Sequence, residues 1–522
     1  MVHMLLHKYL TESVVHLAEK VAITCGDERI TYRQLQVLAD KVAAVLQARG
    51  VRRGDRVALF MDNGIEMVAT IFGVLEIGAV FMPVNPLTKR EKFRFLLQDS
   101  RACALVAHAA LAASWRPAID SLATLHTCVV AGQLADATSA DDRQIPFPRQ
   151  TDDTGNMLRA PSCAETIDQD LAAIIYTSGS TGEPKGVMLT HLNMDSALRS
   201  VMTYLCPRQD DVIMCVLPLA FGYGLYHALM SVATGATLVL EQSFAFPAKA
   251  LQTMSAEQVT IFPAVPTIFS QLVNMKGLDQ YDLSALRILT NAAAALSEEH
   301  IRRVRALFPQ ASFYSMYGMT ECKRISYLPP DQLDVRPSSV GRGMPNQELW
   351  LVDDAGNRLP NGSTGELVVR GSHIMRGYWE RPELTAERLR AGPIPGENVL
   401  FTGDIFRTDA DGWLYFVSRK DDIIKSRGEK VSPREVENVL YDHPDVMDVA
   451  LVGVPHKTLG EEPAAVVALK PGAHATEADL RSHVAGLLAA FKVPVRIVFQ
   501  QGTLPRNANG KILKKELRAL FD

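Results

Sequence analysis

Leu171-Ala172-Ala173-Ile174-Ile175-Tyr176-Thr177-Ser178-Gly179-Ser180-Thr181-Gly182-Glu183-Pro184-Lys185-Gly186-Val187-Met188-Leu189-Thr190 sets a glycine- and hydroxyl-rich segment with one lysine between two short apolar runs. The flanks predict two strands and the middle predicts the loop that joins them. Gly179 and Gly182 let backbone N–H groups turn toward an anion; Thr177, Ser178, Ser180 and Thr181 add hydroxyl donors and Lys185 adds charge. A Ser/Gly surface turn is the plain alternative, yet such a turn has no use for Pro184-Lys185-Gly186. The loop is not a Walker loop either, in which Gly-Lys is followed by Ser or Thr. It reads as a cradle for phosphate of a different nucleotide chemistry.

Outward from the loop, helical periodicity over Tyr32–Ala48 and Ile65–Ile77 alternates with apolar runs such as Val57-Ala58-Leu59-Phe60 and Val80-Phe81-Met82. Alternation of this kind predicts parallel strands with crossover helices. It resumes beyond the loop, through Val212–Val216, a helix from about Gly224, Thr237–Leu240, Val259–Phe262, Leu286–Leu289 and Ser312-Phe313-Tyr314, which predicts a second doubly wound unit. Residues 135–168, rich in Asp, Thr, Ser and Pro, read as an exposed excursion. From Glu348 to Arg370 short strands and turns predict a small β unit. A charged run, Ser418-Arg419-Lys420-Asp421-Asp422, marks a boundary, and the stretch from Ile423 to Asp522 is long enough for a domain of its own. The expected fold class is therefore α/β: a large N-terminal domain (1–417) of two doubly wound αβ subdomains plus a small β unit, then 418–422, then a small α+β C-terminal domain (423–522).

A chain of 522 residues exceeds what one core organises, and 47% hydrophobic with 21% charged residues is an ordinary soluble composition. A net charge of −4 gives no global pull toward nucleic acid or anionic lipid, so any polyanion must be held by local sites. Seven scattered cysteines without a CxxC pair argue against a disulfide framework or a zinc site and fit a reducing cytoplasm. Glu66 and Glu76 interrupt the most apolar long stretch and the N-terminus has no signal-peptide layout, so neither a membrane span nor export is expected.

Four further segments stand in order along the chain: Ile30-Thr31-Tyr32, Tyr317-Gly318-Met319-Thr320-Glu321, Phe401-Thr402-Gly403-Asp404 and Asn509-Gly510-Lys511. Together with the loop, over nearly the whole length, they resemble the acyl-adenylate-forming superfamily, which includes acyl-CoA synthetases, adenylation domains and firefly luciferase. The resemblance implies ATP-dependent conversion of a carboxylic acid to acyl-AMP with release of pyrophosphate, then transfer of the acyl group to CoA or to the phosphopantetheine of a carrier protein. It implies that Tyr317 stacks on adenine, that Thr320 reaches the α-phosphate, that Glu321 holds Mg²⁺, and that Asp404 and Arg419 bind ribose. Carboxylate oxygen suits that hard ion, and a charged acceptor makes the stronger hydrogen bond. The same resemblance implies that Asp421 falls at the hinge of a mobile C-terminal lid, that Gly428 approaches the pantetheine arm, and that Lys511 is the catalytic ammonium. Taken singly, Gly318, the Gly403-Asp404 pair and Gly428 read equally as turns, and Lys511 as one charge on a basic face with Lys514, Lys515 and Arg518.

Leu217–Gly224 aligns with the segment that lines the family's acyl pocket, placing Phe221, Gly222 and Tyr223 there, with Ala292, Ala293, Met316, Gly318 and Met319 opposite. Amino-acid adenylation domains carry an aspartate where this chain has Gly222; an ammonium buried without a partner is costly, which argues against an α-amino acid. Asn291-Ala292-Ala293-Ala294-Ala295 replaces the family's Ser-Gly-Gly-Ala-Pro, and its small side chains fit either pocket space or close helix packing. The apolar lining suits a fatty or aromatic acid, with aryl and alkyl both open. A β-amino-acid enzyme loading a carrier protein, a non-catalytic nucleotide-binding member and a luciferase-like oxygenase are the other readings.

Overall fold

The computed structural model describes residues 5–120, 122–133, 141–149, 165–178, 183–292, 296, 298–426, 429–456, 460–506 and 512–521. Two of its sheets are built mainly from parallel strands, as the alternating pattern predicts. One runs Gly377–Tyr378, Pro184–Thr190, Leu171–Ser178, Val80–Pro83, Arg56–Phe60, Ala104–His108, Thr127–Ala131 and Gln144–Pro146. Its strands are parallel from Leu171–Ser178 to Gln144–Pro146. The other runs Arg342–Gly343, Ser326–Leu328, Ser312–Tyr317, Ile288–Asn291, Ile261–Ala264, Val212–Cys215, Thr237–Leu240, Val21–Cys25 and Glu28–Thr31. The strand Gln144–Pro146 lies inside the segment read from sequence as an exposed excursion, and the adjoining Phe147 is buried. Two apolar residues between turn formers are too short a run for period-2 reasoning to register.

The subdomains are interleaved in the chain. The hairpin Val21–Cys25/Glu28–Thr31 precedes the first sheet in sequence but joins the second, where Val21–Cys25 pairs in parallel with Thr237–Leu240. The helix Tyr32–Ala48 then begins on a capping box: Thr31 Oγ1 accepts from the Gln34 N–H, and Gln34 Oε1 accepts from the Thr31 N–H. It buries Leu35, Leu38, Ala39, Val42, Ala43 and Leu46, the i, i+3, i+4 spacing that predicted it, against the helix Ile65–Glu76. One continuous apolar core joins both sheets, running from Leu6 through Phe81, Val187 and Phe262 to Leu414.

Next comes a mainly antiparallel unit of Gln347–Val352, Thr364–Gly371, Asn398–Thr408, Leu389–Ala391 and Leu414–Arg419, the small β unit expected from Glu348 onward. Beyond the 3₁₀ turn Lys420–Asp422, the strands from Ile424 to Phe499 form a separate sheet, flanked by Pro433–Tyr441 and Glu477–Leu487 over a core of their own. Ser432 couples this unit to the rest. It caps the helix Pro433–Tyr441 by accepting from the Glu435 N–H, and its hydroxyl donates to the Val417 carbonyl at 2.7 Å. The C-terminal helix is short, Lys514–Arg518 with a 3₁₀ turn after it, and Ile512 ahead of it bridges back to Arg506. Among the described residues no helix is long and apolar enough to cross a membrane.

Candidate active site

The strands Leu171–Ser178 and Pro184–Thr190 pair antiparallel, with Thr177 opposite Lys185 and Ser178 opposite Pro184, so the glycine-rich segment is the connection at the tip of a hairpin. Gly179, Ser180, Thr181 and Gly182 lie outside the described residues, as does the side chain of Ser178. The hairpin is tied down on both sides. Tyr176 donates to Asp99 Oδ2 at 2.6 Å, and Arg381 donates to Asp99 Oδ1 at 2.6 Å. The short strand Gly377–Tyr378 adds to the hairpin's free edge in register with Met188 and Val187, and the Trp379 N–H closes onto the Gly186 carbonyl at 2.7 Å. Lys185 thereby comes to lie over the Tyr378 ring, its Nζ 5.6 Å from the centroid.

Tyr378 also reaches the second sheet. Its hydroxyl donates to Glu321 Oε1 at 2.8 Å, and the Met375 N–H donates to the Glu321 carbonyl at 2.7 Å. Burial, reinforced by the Glu321 carboxylate, pushes the Tyr378 phenol well above its ordinary value, so it remains a donor. Glu321 and Thr320 stand on a tight turn that leaves the strand Ser312–Tyr317 and returns at once, the Ile325 N–H bonding the Tyr317 carbonyl at 2.9 Å. Gly318 makes this turn close: a Cβ there would lie 2.4 Å from the Lys323 carbonyl oxygen and 2.9 Å from Arg324 Cα. Sequence reasoning missed Tyr378. Its only signal was Gly377-Tyr378-Trp379 standing without an assigned role.

Tyr317, at the end of the same strand, donates to Asp404 Oδ2, and its ring packs edge-on against Phe406 with centroids 4.8 Å apart. Arg419 Nε lies 3.4 Å from Asp404 Oδ1, because Asp404 and Arg419 are directly opposed across the strands Asn398–Thr408 and Leu414–Arg419. Gly403 lies within the strand Asn398–Thr408 rather than in a turn, and its φ of +71° is the left-handed region that favours glycine. The structure thus brings Lys185, Tyr317, Glu321, Asp404 and Arg419 onto one contiguous set of contacts spanning three sheets. Described residues contain no group of three or more His, Cys, Asp or Glu side chains able to hold a metal, and Glu321 is a single hard oxygen donor. That donor set fits Mg²⁺, which is held by one or two carboxylates together with substrate phosphates.

Phe221 precedes the helix Gly222–Thr234, which Gly222 opens. Tyr223 is fixed by its hydroxyl, 2.8 Å from the Thr290 carbonyl and 2.7 Å from Thr290 Oγ1. Met316 is buried and accepts from the Tyr204 hydroxyl through sulfur at 3.1 Å; Ala292 is buried and Met319 packs on the core. Ala293 lies outside the described residues. A second residue escaped the sequence reading: Lys323 is buried, donates to the Gly222 carbonyl and lies under Tyr226. Burial first, then repulsion from Arg324, pushes its ammonium well below the ordinary lysine value. It is the second residue past Glu321, and no motif or periodicity in the sequence marks it.

Of the C-terminal candidates, Gly428 and Lys511 lie outside the described residues, and of Asp421 only the backbone, in the turn Lys420–Asp422, is described. The residues flanking Lys511 are held by the bridge Arg506–Ile512 and by Arg506, which donates to Asp448 Oδ2 at 2.6 Å.

Comparison with known proteins places the chain in a family. Residues 10–379 match the family described as AMP-binding enzyme, and residues 435–511 match the AMP-binding enzyme C-terminal domain. The chain is 31% identical over 539 residues to 4-coumarate–CoA ligase 1 of Solanum tuberosum, covering 99% of this chain and 94% of that one. It is 30% identical over 542 residues to a long-chain-fatty-acid–CoA ligase of Bacillus subtilis, covering 98% and 94%. Among solved structures, the amide bond synthetase McbA from Marinactinospora thermotolerans superposes with a TM-score of 0.88 at 28% identity, over 99% of each chain. The anthranilate CoA ligase AuaEII in complex with anthranoyl-AMP superposes with a TM-score of 0.85 at 30% identity, over 99% of this chain and 96% of that one. The chain belongs to the AMP-binding enzyme family, the acyl-adenylate-forming superfamily.

Proposed function

We propose that the protein is an AMP-forming acid–thiol ligase. The carboxylate of an acid attacks the α-phosphorus of ATP, the bond to the β-phosphate breaks and pyrophosphate leaves. A thiol then attacks the acyl carbonyl of the acyl-AMP, and AMP leaves as the thioester forms. The observation that carries this reading is Tyr378, which touches Lys185 of the hairpin and Glu321 of the facing subdomain. With Tyr317 on Asp404, three separate motifs line one seam.

In this seam the hairpin loop and Lys185 cradle phosphate, Thr320 donates to the α-phosphate, and Asp404 with Arg419 orients ribose beside Tyr317. Glu321 would hold Mg²⁺, which would supply neutralising charge to the phosphates. Joining two anions requires cations aimed at the reacting phosphorus, and Lys511 supplies the last of them. The C-terminal domain, 423–522, turns about Asp421 so that Lys511 serves adenylation and Gly428 serves the thiol. Such a swing breaks and remakes the bond from Ser432 to Val417. Phe221, Tyr223 and Met316 line the acyl site, and the relatives named for 4-coumarate and for long-chain fatty acids favour an aryl or alkyl acid, with CoA as the acceptor over a carrier protein.

Carboxylate-dependent pyrophosphate exchange over a panel of fatty, aryl and β-amino acids, with a thioester assay on CoA and on a carrier protein after it, tests the proposal. Exchange with at least one acid is expected. None across the panel sinks it in favour of a non-catalytic nucleotide binder.

A further inference from the structure

Lys323 and Arg324 leave the Glu321 turn and run inward, where they are only 8% and 3% exposed. The Lys323 ammonium donates to the Gly222 carbonyl and lies 4.4 Å from the Tyr226 ring centroid and 5.6 Å from that of Tyr223. The Arg324 guanidinium stands 5.1 Å from the Tyr223 centroid, and its Nε is buried without a hydrogen-bond partner. Among the described residues no carboxylate forms an ion pair with either cation. Two adjacent buried cations lose hydration and repel each other, and one carbonyl at Lys323, the Tyr204 hydroxyl beside Arg324 and the faces of tyrosine rings recover only part of that cost.

The ammonium is also uncovered on one side by the choice of residue opposite it. A Cβ at position 222 would sit 3.7 Å from Lys323 Nζ, at ordinary contact distance, so a side chain there would fit and would shield the charge. Glycine places no side chain between the ammonium and the start of the helix Gly222–Thr234, which carries the acyl-site residues Phe221, Gly222 and Tyr223. An arrangement of this kind is sustained where a ligand brings the missing negative charge.

We propose that Lys323, facing Gly222, anchors a second anionic group on the acid being activated: the substrate is an alkyl or aryl acid with a distal carboxylate, and Arg324 behind Tyr223 adds positive potential to that end of the pocket. This deepens the ligase reading and rests on it. It also accounts for Gly222, which forgoes the aspartate of amino-acid adenylation domains and leaves a site of the opposite polarity.

The test is hydroxamate trapping by the full chain with acids matched in carbon number, pentanoic against glutaric, octanoic against suberic, and benzoic against isophthalic. For at least one pair, kcat/KM of the wild type is expected to favour the diacid by roughly tenfold or more, since a site built for a polar partner discriminates strongly against its absence. In Lys323→Met the ratio falls to one or below because the diacid loses far more turnover than the monoacid. Preference for the monoacid in every pair, or equal loss of both members in Lys323→Met, overturns the proposal, the latter because the lysine would then serve the reacting carboxylate or phosphate. Should Lys323→Met fail to fold, thermal unfolding of the wild type with ATP and each acid decides: a larger rise in Tm with the diacid is expected, and equal rises overturn the anchor. Zero turnover with every acid defeats the ligase reading itself, and the anchor is then judged on these Tm shifts alone.

Discussion

The Tyr378 hydroxyl donates to Glu321 Oε1 at 2.8 Å, so the edge strand on the hairpin Leu171–Ser178/Pro184–Thr190 holds the carboxylate of the neighbouring subdomain in place. A hydrogen bond to a charged group contributes about 1.5–3 kcal/mol. Tyr378→Phe keeps the ring against Lys185 and removes only the donor. Its KM for Mg·ATP in pyrophosphate exchange is expected to rise by roughly tenfold, with the thermal midpoint nearly unchanged. An unaltered magnesium and ATP dependence would remove Glu321 from the nucleotide site.

Asp404 accepts from Tyr317 and faces Arg419. Asp404→Asn keeps the shape and deletes the charge, which halves the strength of any bond to ribose. Weaker nucleotide binding by about an order of magnitude, with kcat for the bound complex largely kept, is the expected split. Isothermal titration with ATP and steady-state kinetics measure both. A fall in kcat alone would assign Asp404 to the chemical step.

Lys511→Ala is expected to abolish adenylation, by about three orders of magnitude or more if electrostatic stabilisation dominates the barrier. Thioester formation from supplied acyl-AMP should persist. Equal loss in both half-reactions contradicts a domain that takes two poses. Asp421→Pro, which stiffens the turn after Arg419, should slow one half-reaction more than the other, and unchanged kinetics in both would exclude it as the pivot.

Glu76, beneath the helix Tyr32–Ala48, gives a pH-dependence. Burial, together with the charge and hydrogen bond of Asp40 and partly offset by Lys8, pushes its carboxyl up to about 8. Gln36 also donates to Asp40, at 2.6 Å. The folded state therefore keeps a proton that the unfolded chain releases near its ordinary value, and stability contributed by this group falls as pH rises from about 4.5 to about 8. The Tm is expected to drop across that window, and Glu76→Gln to flatten the profile and raise the Tm at its alkaline end. A Glu76→Gln profile parallel to the wild type would show that the pair does not share a proton.

Much of this architecture was legible because the signals were local. The capping box at Thr31 and the spacing Leu35, Leu38, Val42, Leu46 specify the helix Tyr32–Ala48 within their own residues, and the hairpin around the glycine loop is written in its flanks. The seam residues were legible through motif order, although periodicity is silent on which strand ends meet. What stayed hidden depends on distant pairing. Tyr378 acquires a role only when Gly377–Tyr378 docks on Pro184–Thr190, and Lys323 only when its turn folds under Gly222. Beyond the unassigned Gly377-Tyr378-Trp379, nothing near either residue marks it, since a lysine beside an arginine is ordinary surface sequence.

Because Val21–Cys25 finds its parallel neighbour in Thr237–Leu240, and Ser13 donates to the Val232 carbonyl 219 residues away, the earliest strand leaves the ribosome long before its partner exists. The nascent protein must hold an unsatisfied β edge through much of synthesis. Truncated products ending ahead of Thr237 are therefore expected to associate with chaperones or aggregate through that edge instead of persisting as a free half-enzyme.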